Sequence, residues 1–396
     1  MCGTSLERQI HAPAGVAGSA QKEMNMLSPS DLTALRRSLR DDHVLSVFVD
    51  RSASDPAEQR AWRTALDNRF AVLRDELQGS SADEREQFER CVEWAVKAVE
   101  ELGPTAGASG WAAFITADGV RESRALTVGT PTFAMWSQGA WLVPCLPDTR
   151  KDRSIVVIAD SRHTSIHAFH NGVVERIDRV RAHHEVQNPP LHMASPPRIG
   201  FHPGTHGATG HDAAQRGSLA GRDHMIADAV ERVSRYAGDD AWILVAGIKA
   251  VRARLLADLT AAVADRVLEL ESLDVHASDA EIADAARAGA STLCDALDSR
   301  RIHEIVEAAG PHGLGAVGAE ATKEALDHVC VHQLYLSERY VAEHPVEAET
   351  ALRESLDQNA RVEEVSAKAA ELLDGLGGIA AALRFSPTAT RATRAA

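Results

Sequence analysis

The spacing of apolar positions changes several times along the chain, and each change predicts an element. Residues 1–26 are small and polar with no period, as expected of a disordered leader. Ser28-Pro29-Ser30-Asp31 then reads as a helix start, with Ser30 or Asp31 capping LTALRRSLR. Val44 to Val49 alternates and is β-branched, which predicts a strand. From Pro56 to Glu101, acids interleave with arginines while Leu66, Phe70, Leu73 and Leu77 fall at helical spacing. From Gly110 the period shortens to that of strands, over WAAFITADGV, ESRALTV and GAWLVPCLP. A polar run from Asp148 to Arg153 marks a candidate boundary.

Beyond it, SIVVIADSRHTSIHAFHNGVVERID reads as a β-meander, with Asn171-Gly172 turning between its second and third strands. From about His183 to Gly221 there is no period but many Gly, His and Pro, and so long a loop is usually functional or disordered. A helix (RDHMIADAVERVSRYA), a buried strand (AWILVAG), a second helix (AVRARLLADLTAAVADRV) and an apolar segment near Leu268 to Leu273 follow, an α/β alternation. A helical connector spans about Asp279 to Ala309. The last module begins near Gly313, with helix EATKEALDHV, strand HQLYLSE, helices around Glu347 to Leu356 and Val362 to Leu373, and a closing strand GIAAALRF. The expected units are therefore the leader 1–26, an N-terminal α/β domain 27–150, a central domain 151–285 carrying the loop 183–221, and a C-terminal domain 286–396.

Composition refines this picture at four points. A chain of 396 residues exceeds one typical core, so several domains are expected. Aromatics make up only 4%, so the cores must be built from Ala, Val, Leu and Ile. A formal charge of −15 argues against coating nucleic acid by bulk counterion release, and leaves room for local basic patches. The five cysteines lie far apart with no CxxC, which argues against a disulfide framework or structural zinc and fits a reducing cytoplasm. No apolar run reaches the ~20 residues of a membrane span, and the N-terminus lacks a signal-peptide pattern, so a soluble cytoplasmic protein is expected.

Two constellations could carry chemistry. A GxGxxG stands at Gly313, Gly315 and Gly318, with Glu338 further on. A dinucleotide fingerprint requires a strand before the glycines; RIHEIVEAAGPH precedes them, so a flexible entry into the last domain is expected instead. His202, His206 and His211, with His183-His184, cluster in the long loop. They lack the helical or knuckle spacing of zinc ligands and a cysteine partner, and a metal-dependent hydrolase built on them is an alternative reading. No GxSxG, HExxH, P-loop or nucleophile signature is present.

The order of modules is more informative than any short motif. The opening VLSVFVD with DPAEQRAWRTALDNRF, the middle IVVIADSRHTSIHAFHNG and WILVAGIKAVRARLLADL, and the closing ARVEEVSAKAAELLDGLGGIAAALRF together resemble the archaeal and eukaryotic release factor 1 (Pelota-like) superfamily, as a bacterial member. The closing run is Gly377, Gly378, Ile379, Ala380, then Leu383, Arg384 and Phe385, and the resemblance covers about Leu27 to Phe385.

The resemblance implies a mixed α/β, three-domain tRNA-mimic architecture, with an RNase H-like central domain and an L7Ae-like C-terminal domain. It implies a monomer without cofactor that enters the ribosomal A site. Its partners would be the 70S ribosome and rRNA, with a translational GTPase of elongation-factor type at the last domain. Release-competent members carry a Gly-Gly-Gln loop, whose glycines free the backbone so that an N–H can stabilise an oxyanion while Gln places a water. The matching residues here are Ala213-Ala214-Gln215, so Gln215 is the candidate catalytic residue of a peptidyl-tRNA hydrolase alternative. Alanine at positions needing positive φ costs ~1 kcal/mol or more each. The family's Asn-Ile-Lys-Ser segment is absent, which argues against codon-specific termination and points to ribosome rescue or hibernation. Between Met193 and Arg222 the loop sets Arg198, Arg216 and Arg222 against Asp212. Contact with rRNA is therefore expected at His202, His206, Gly207, Gly210, His211, Arg216 and Arg222, weakening with salt.

Overall fold

Alternation along a strand sends successive side chains to opposite faces, and in the first strand of this protein both faces are buried. The computed structural model describes residues 27–52, 58–102, 108–150, 153–170, 172–182, 210–238, 241–310 and 312–387. Helix α1 (Pro29–Leu39) begins at Ser28, ahead of the expected caps. The Ser28 hydroxyl accepts from the Asp31 amide at 3.1 Å, and the Asp31 carboxylate accepts the Ser28 amide at 2.9 Å. Asp31 thus closes a capping box from its third position instead of starting the helix. Strand β1 (His43–Asp50) follows.

The helical stretch expected up to Glu101 is two helices, α2 (Glu58–Glu76) and α3 (Ala82–Glu100). A 3-10 turn at Leu77–Gly79 separates them, and Ser81 restarts the second by accepting from the Glu84 amide at 3.1 Å. Strands β2 (Gly110–Thr116), β3 (Gly119–Leu126) and β4 (Phe133–Gln138) complete an antiparallel sheet of order β3-β2-β1-β4. Helices α2 and α3 cover one face, with Leu66, Phe70, Leu73, Phe88 and Cys91 against Leu45, Val47 and Val49. The strand expected over GAWLVPCLP is absent: Val143–Cys145 and Pro147–Thr149 are 3-10 turns. Pro144 and Pro147 have no N–H to give a ladder.

The expected meander is present as β5 (Ser154–Ala159), β6 (His163–His170) and β7 (Val173–Arg181). Helix α4 (Gly210–Ala237), β8 (Trp242–Gly247), α5 (Lys249–Val263) and β9 (Val267–Glu269) follow. The five strands run β7-β6-β5-β8-β9, with β5, β8 and β9 parallel and the meander antiparallel. Helices α4 and α5 lie on one face, and α6 (Asp279–Glu307) on the other. Ser278 and Glu281 close a capping box at the start of α6. The part of the expected loop from Gly210 to Gly221 is helical, the first turns of α4, where Ala213, Ala214, Gln215 and Arg216 are good helix formers.

The last sheet contains β10 (Gly315–Val317), β11 (Val331–Ser337), β12 (Arg361–Val365) and β13 (Ile379–Leu383), in the order β10-β13-β11-β12. Its helices are α7 (Ala319–Asp327), α8 (Glu338–Glu343), α9 (Pro345–Asp357) and α10 (Ala367–Asp374). The helix expected over Val362 to Leu373 is thus a strand and a shorter helix. Val362 and Val365 are both buried in a strand parallel to β11, and the chain turns at Ala367, whose φ is 52°.

Two packing features join the sheets. The free face of the first sheet, with Val44, Phe48, Phe114 and α1, shares one core with Leu334, Leu336, Leu352, Leu356 and Ile379 of the last unit. Helix α6 buries Ile282, Ala286 and Leu293 against the middle sheet, and Ile302 and Ile305 against Tyr335, Val365 and Leu373 of the last.

The turn into β13 rests on Gly378, whose φ is 77° and where an added Cβ would lie 2.6 Å from the Tyr340 Cβ. Gly378→Ala is expected to cost about 1–2 kcal/mol from the backbone conformation alone, read by urea denaturation. A loss under about 0.5 kcal/mol, the scale of a neutral surface change, would show that the turn relaxes freely.

Candidate functional site

Strand β7 ends at Arg181 and the chain returns as α4 at Gly210, so the segment 183–209 springs from the β6–β7 edge of the middle sheet. That return is anchored. Asp178 accepts from both sides: Arg232 Nη1 reaches its carboxylate oxygens at 2.9 and 3.1 Å, and Tyr236 Oη donates at 3.0 Å. The hydrogen bond from Arg232 holds the Asp178 carboxyl below its ordinary range. Behind it, Met225, Ile226, Ala229 and Val233 of α4 are buried against Ile155, Val157 and Ile166.

The expected site residues divide. His202, His206 and Gly207 lie outside the described residues, as does the His183-His184 pair. Gly210, His211, Gln215 and Arg216 lie in the first turns of α4, and Arg222 follows, half-buried, on the same helix. Ala213 and Ala214 therefore have helical backbone and are not among the described residues with positive φ. A helix needs no glycine there, so the strain expected of alanine in a Gly-Gly-Gln turn does not arise.

Other candidate chemistry resolves into packing. At Gly313 and Gly315 an added Cβ would fall onto the carbonyl oxygens of Ala308 and Ile305. The glycines let β10 sit directly on the last turn of α6, a close-packed entry to the last unit and not a flexible one. Gly318, with φ 83°, ends β10 and starts α7. Cys91, Cys145, Cys294 and Cys330 are free, and burial pushes each of these four thiols up, Cys91 to about 12. Such thiols stay protonated and are poor nucleophiles. No group of three His, Cys, Asp or Glu suited to a metal ion occurs among the described residues. No helix of the described chain is long and apolar enough to cross a membrane.

Arg176, Arg179 and Arg181 of β7 were not legible as a group. The sequence signal is their recurrence in a short strand, but which face each takes depends on a bulge. The register shifts between Ile166 and His167, so that Ile166 pairs with Asp178 and His167 with Arg176. Asp178 then faces α4, and the arginines take the opposite face.

No family model matches the chain, and no curated protein matches it. Solved structures do. The chain is similar to Archaeoglobus fulgidus Pelota at 15% identity, covering 70% of this chain and 79% of that one, with a TM-score of 0.38. It is similar to Pelota in a model of ribosome-bound archaeal Pelota and ABCE1 at 12% identity, covering 91% and 94%, with a TM-score of 0.42. Likeness to the archaeal translation termination factor aRF1 is at 14% identity, covering 91% and 99%, with a TM-score of 0.25.

Proposed function

We propose that this chain is a ribosome-binding translation factor of tRNA-like shape that occupies the A site, in ribosome rescue or hibernation. The observation that carries the reading is the ordered set of units behind the sequence resemblance. An antiparallel sheet under two helices comes first, then a five-stranded α/β sheet from which the segment 183–209 and α4 spring. A third sheet closes with Gly377 and Gly378, both at positive φ, feeding β13. In this reading the middle unit is RNase H-like and the last is L7Ae-like and meets a GTPase of elongation-factor type. The helical backbone of Ala213 and Ala214 supports occupancy over hydrolysis, since it offers no glycine turn to aim an amide at an oxyanion.

The test is co-sedimentation of the full chain with 70S ribosomes, with and without an A-site tRNA competitor, followed by a peptidyl-tRNA release assay. Pelleting that the tRNA abolishes, without peptide release, is the expected result. Failure to pellet at low salt overturns the proposal. Release that Gln215→Ala abolishes while pelleting survives would move the assignment to a peptidyl-tRNA hydrolase.

A further inference from the structure

The face of β6 and β7 turned away from α4 differs from the rest of the surface. The register sets His163 opposite Arg181, Ser165 opposite Arg179 and His167 opposite Arg176. Helix α6 and its approach cover only the far end, where Phe169 and Val174 enter the core and Arg287 stands 5.9 Å over the Phe169 ring. Toward His163 the face is polar, and Arg176, Arg179 and Arg181 are all exposed.

What marks Arg176, Arg179 and Arg181 in this acidic chain is that three arginines share one face of a strand pair without a partner acid. Many arginines elsewhere are paired, among them Arg74 with Glu89 at 2.7 Å, Arg252 with Glu269 at 2.6 Å and Arg300 with Asp265 at 2.9 Å. Among the described residues, no ion pair forms at Arg176, Arg179 or Arg181. Arg179 Nη2 instead lies 2.7 Å from His163 Nε2, and donates to the neutral ring, which leaves its charge uncompensated. Burial first, and then Arg179, hold His163 below its ordinary range, against the pull of Asp160 3.5 Å away. Asp160 lies in the turn before β6, held by the Ser161 hydroxyl at 3.1 Å and by the charge of Arg162, and Asp178 is on the other face with Arg232 and Tyr236.

We propose that this β6–β7 face, through Arg176, Arg179 and Arg181, docks the phosphate backbone of RNA. Same-face neighbours on a strand stand about 6.6–6.8 Å apart, the order of the step between successive phosphates of one strand. A flat row of guanidiniums fits a polymer of phosphates, which each fork can hold through two N–H groups. The row ends at Arg181, at the root of the segment 183–209. If the ribosomal reading holds, the RNA is rRNA lining the A site; the docking chemistry itself does not depend on it.

The experiment uses the full chain, a fluorescent RNA duplex of arbitrary sequence and a KCl titration of binding anisotropy. Three proteins are compared: the native chain, R176A/R179A/R181A, and a control, R235A/R254A/R300A, that removes equal charge from paired, exposed arginines. The native chain is expected to bind with salt-dependent affinity. The β7 variant should weaken it at least tenfold and lower the log–log salt slope by about two to three, while the control changes it less than twofold. Absence of native binding at low salt, or equal losses in the two variants, overturns the proposal. Pelleting with 70S ribosomes separates the two readings. If the native chain and the β7 variant pellet alike at every salt, docking on β7 fails and the ribosomal reading stands. If the native chain binds the duplex through β7 but never pellets, the reverse holds.

Discussion

Arg353→Ala is expected to destabilise the protein by about 3–5 kcal/mol, the loss typical of stranding one partner of a buried ion pair. Glu349, 2% exposed, sits on α9 inside the core shared by the first and last units. Its Oε2 accepts the amides of Leu142 and Val143, each at 2.9 Å, and its Oε1 accepts Arg353 Nε at 2.7 Å. The Arg353 guanidinium also donates to the carbonyl oxygens of Gln138 at 2.9 Å and Ala140 at 2.8 Å. Removing it strands a buried carboxylate and several carbonyls at once. Burial already raises the Glu349 carboxyl, opposed chiefly by Arg353. Without the arginine the carboxyl keeps its proton to higher pH, so the variant's deficit should be smaller at pH 5 than at pH 8. Urea denaturation at both values measures this, and a loss below about 1 kcal/mol at pH 8 would place the pair among exposed, weakly coupled ones.

The second large effect is a gain in stability on mild acidification. Where the first unit meets the middle and last, Arg150 bonds Asp298 and donates to Glu364 O at 3.0 Å and Ser366 Oγ at 3.2 Å. Burial pushes the Asp298 carboxyl up to about 6 and the Glu364 carboxyl up to about 7, with Glu338 adding to the latter. Both groups therefore bind a proton more tightly folded than unfolded. Their contribution is full below the unfolded values near 4 and is lost as pH rises through 6 and 7. The denaturation midpoint should rise as pH falls from 8 to 5.5. For Glu364 the change is on the order of 2–3 kcal/mol. Glu364→Gln, which carries no charge at any pH, should be more stable than the native chain at pH 8 and show a flatter pH profile. A native profile flat between pH 8 and 5.5 would contradict the assignment.

What the sequence disclosed follows from how local each cause is. The meander from Ser154 to Arg181 was legible because alternation and one turn define it. Helix α6 was legible because it has one long pattern with clear ends. The segment Gly139–Pro147 misled because its buried amides are satisfied by Glu349, on a helix far along the chain. Val362 and Val365 were read at helical spacing because their strand is short and its parallel partner, β11, comes earlier in the chain. The shared core of the first and last units left no signal of its own, since each contributing face is an ordinary apolar stripe. At the candidate site, Gln215 and its neighbours could be named but not given a backbone, and the arginines of β7 required a bulge that spacing does not reveal.

Helix α6, with two seams in two cores, has a mechanical consequence. At 29 residues it is a strut about 43 Å long, and the middle unit cannot swing against the others while both seams hold. Releasing the seam on the last sheet would expose Ile302 and Ile305, at about 1.5–3 kcal/mol each. A reorientation of the middle unit is therefore a discrete, activated event rather than free wobble. Once that seam opens, the second half of α6 loses the packing that holds it helical and frays, so faster amide exchange there should report the opening.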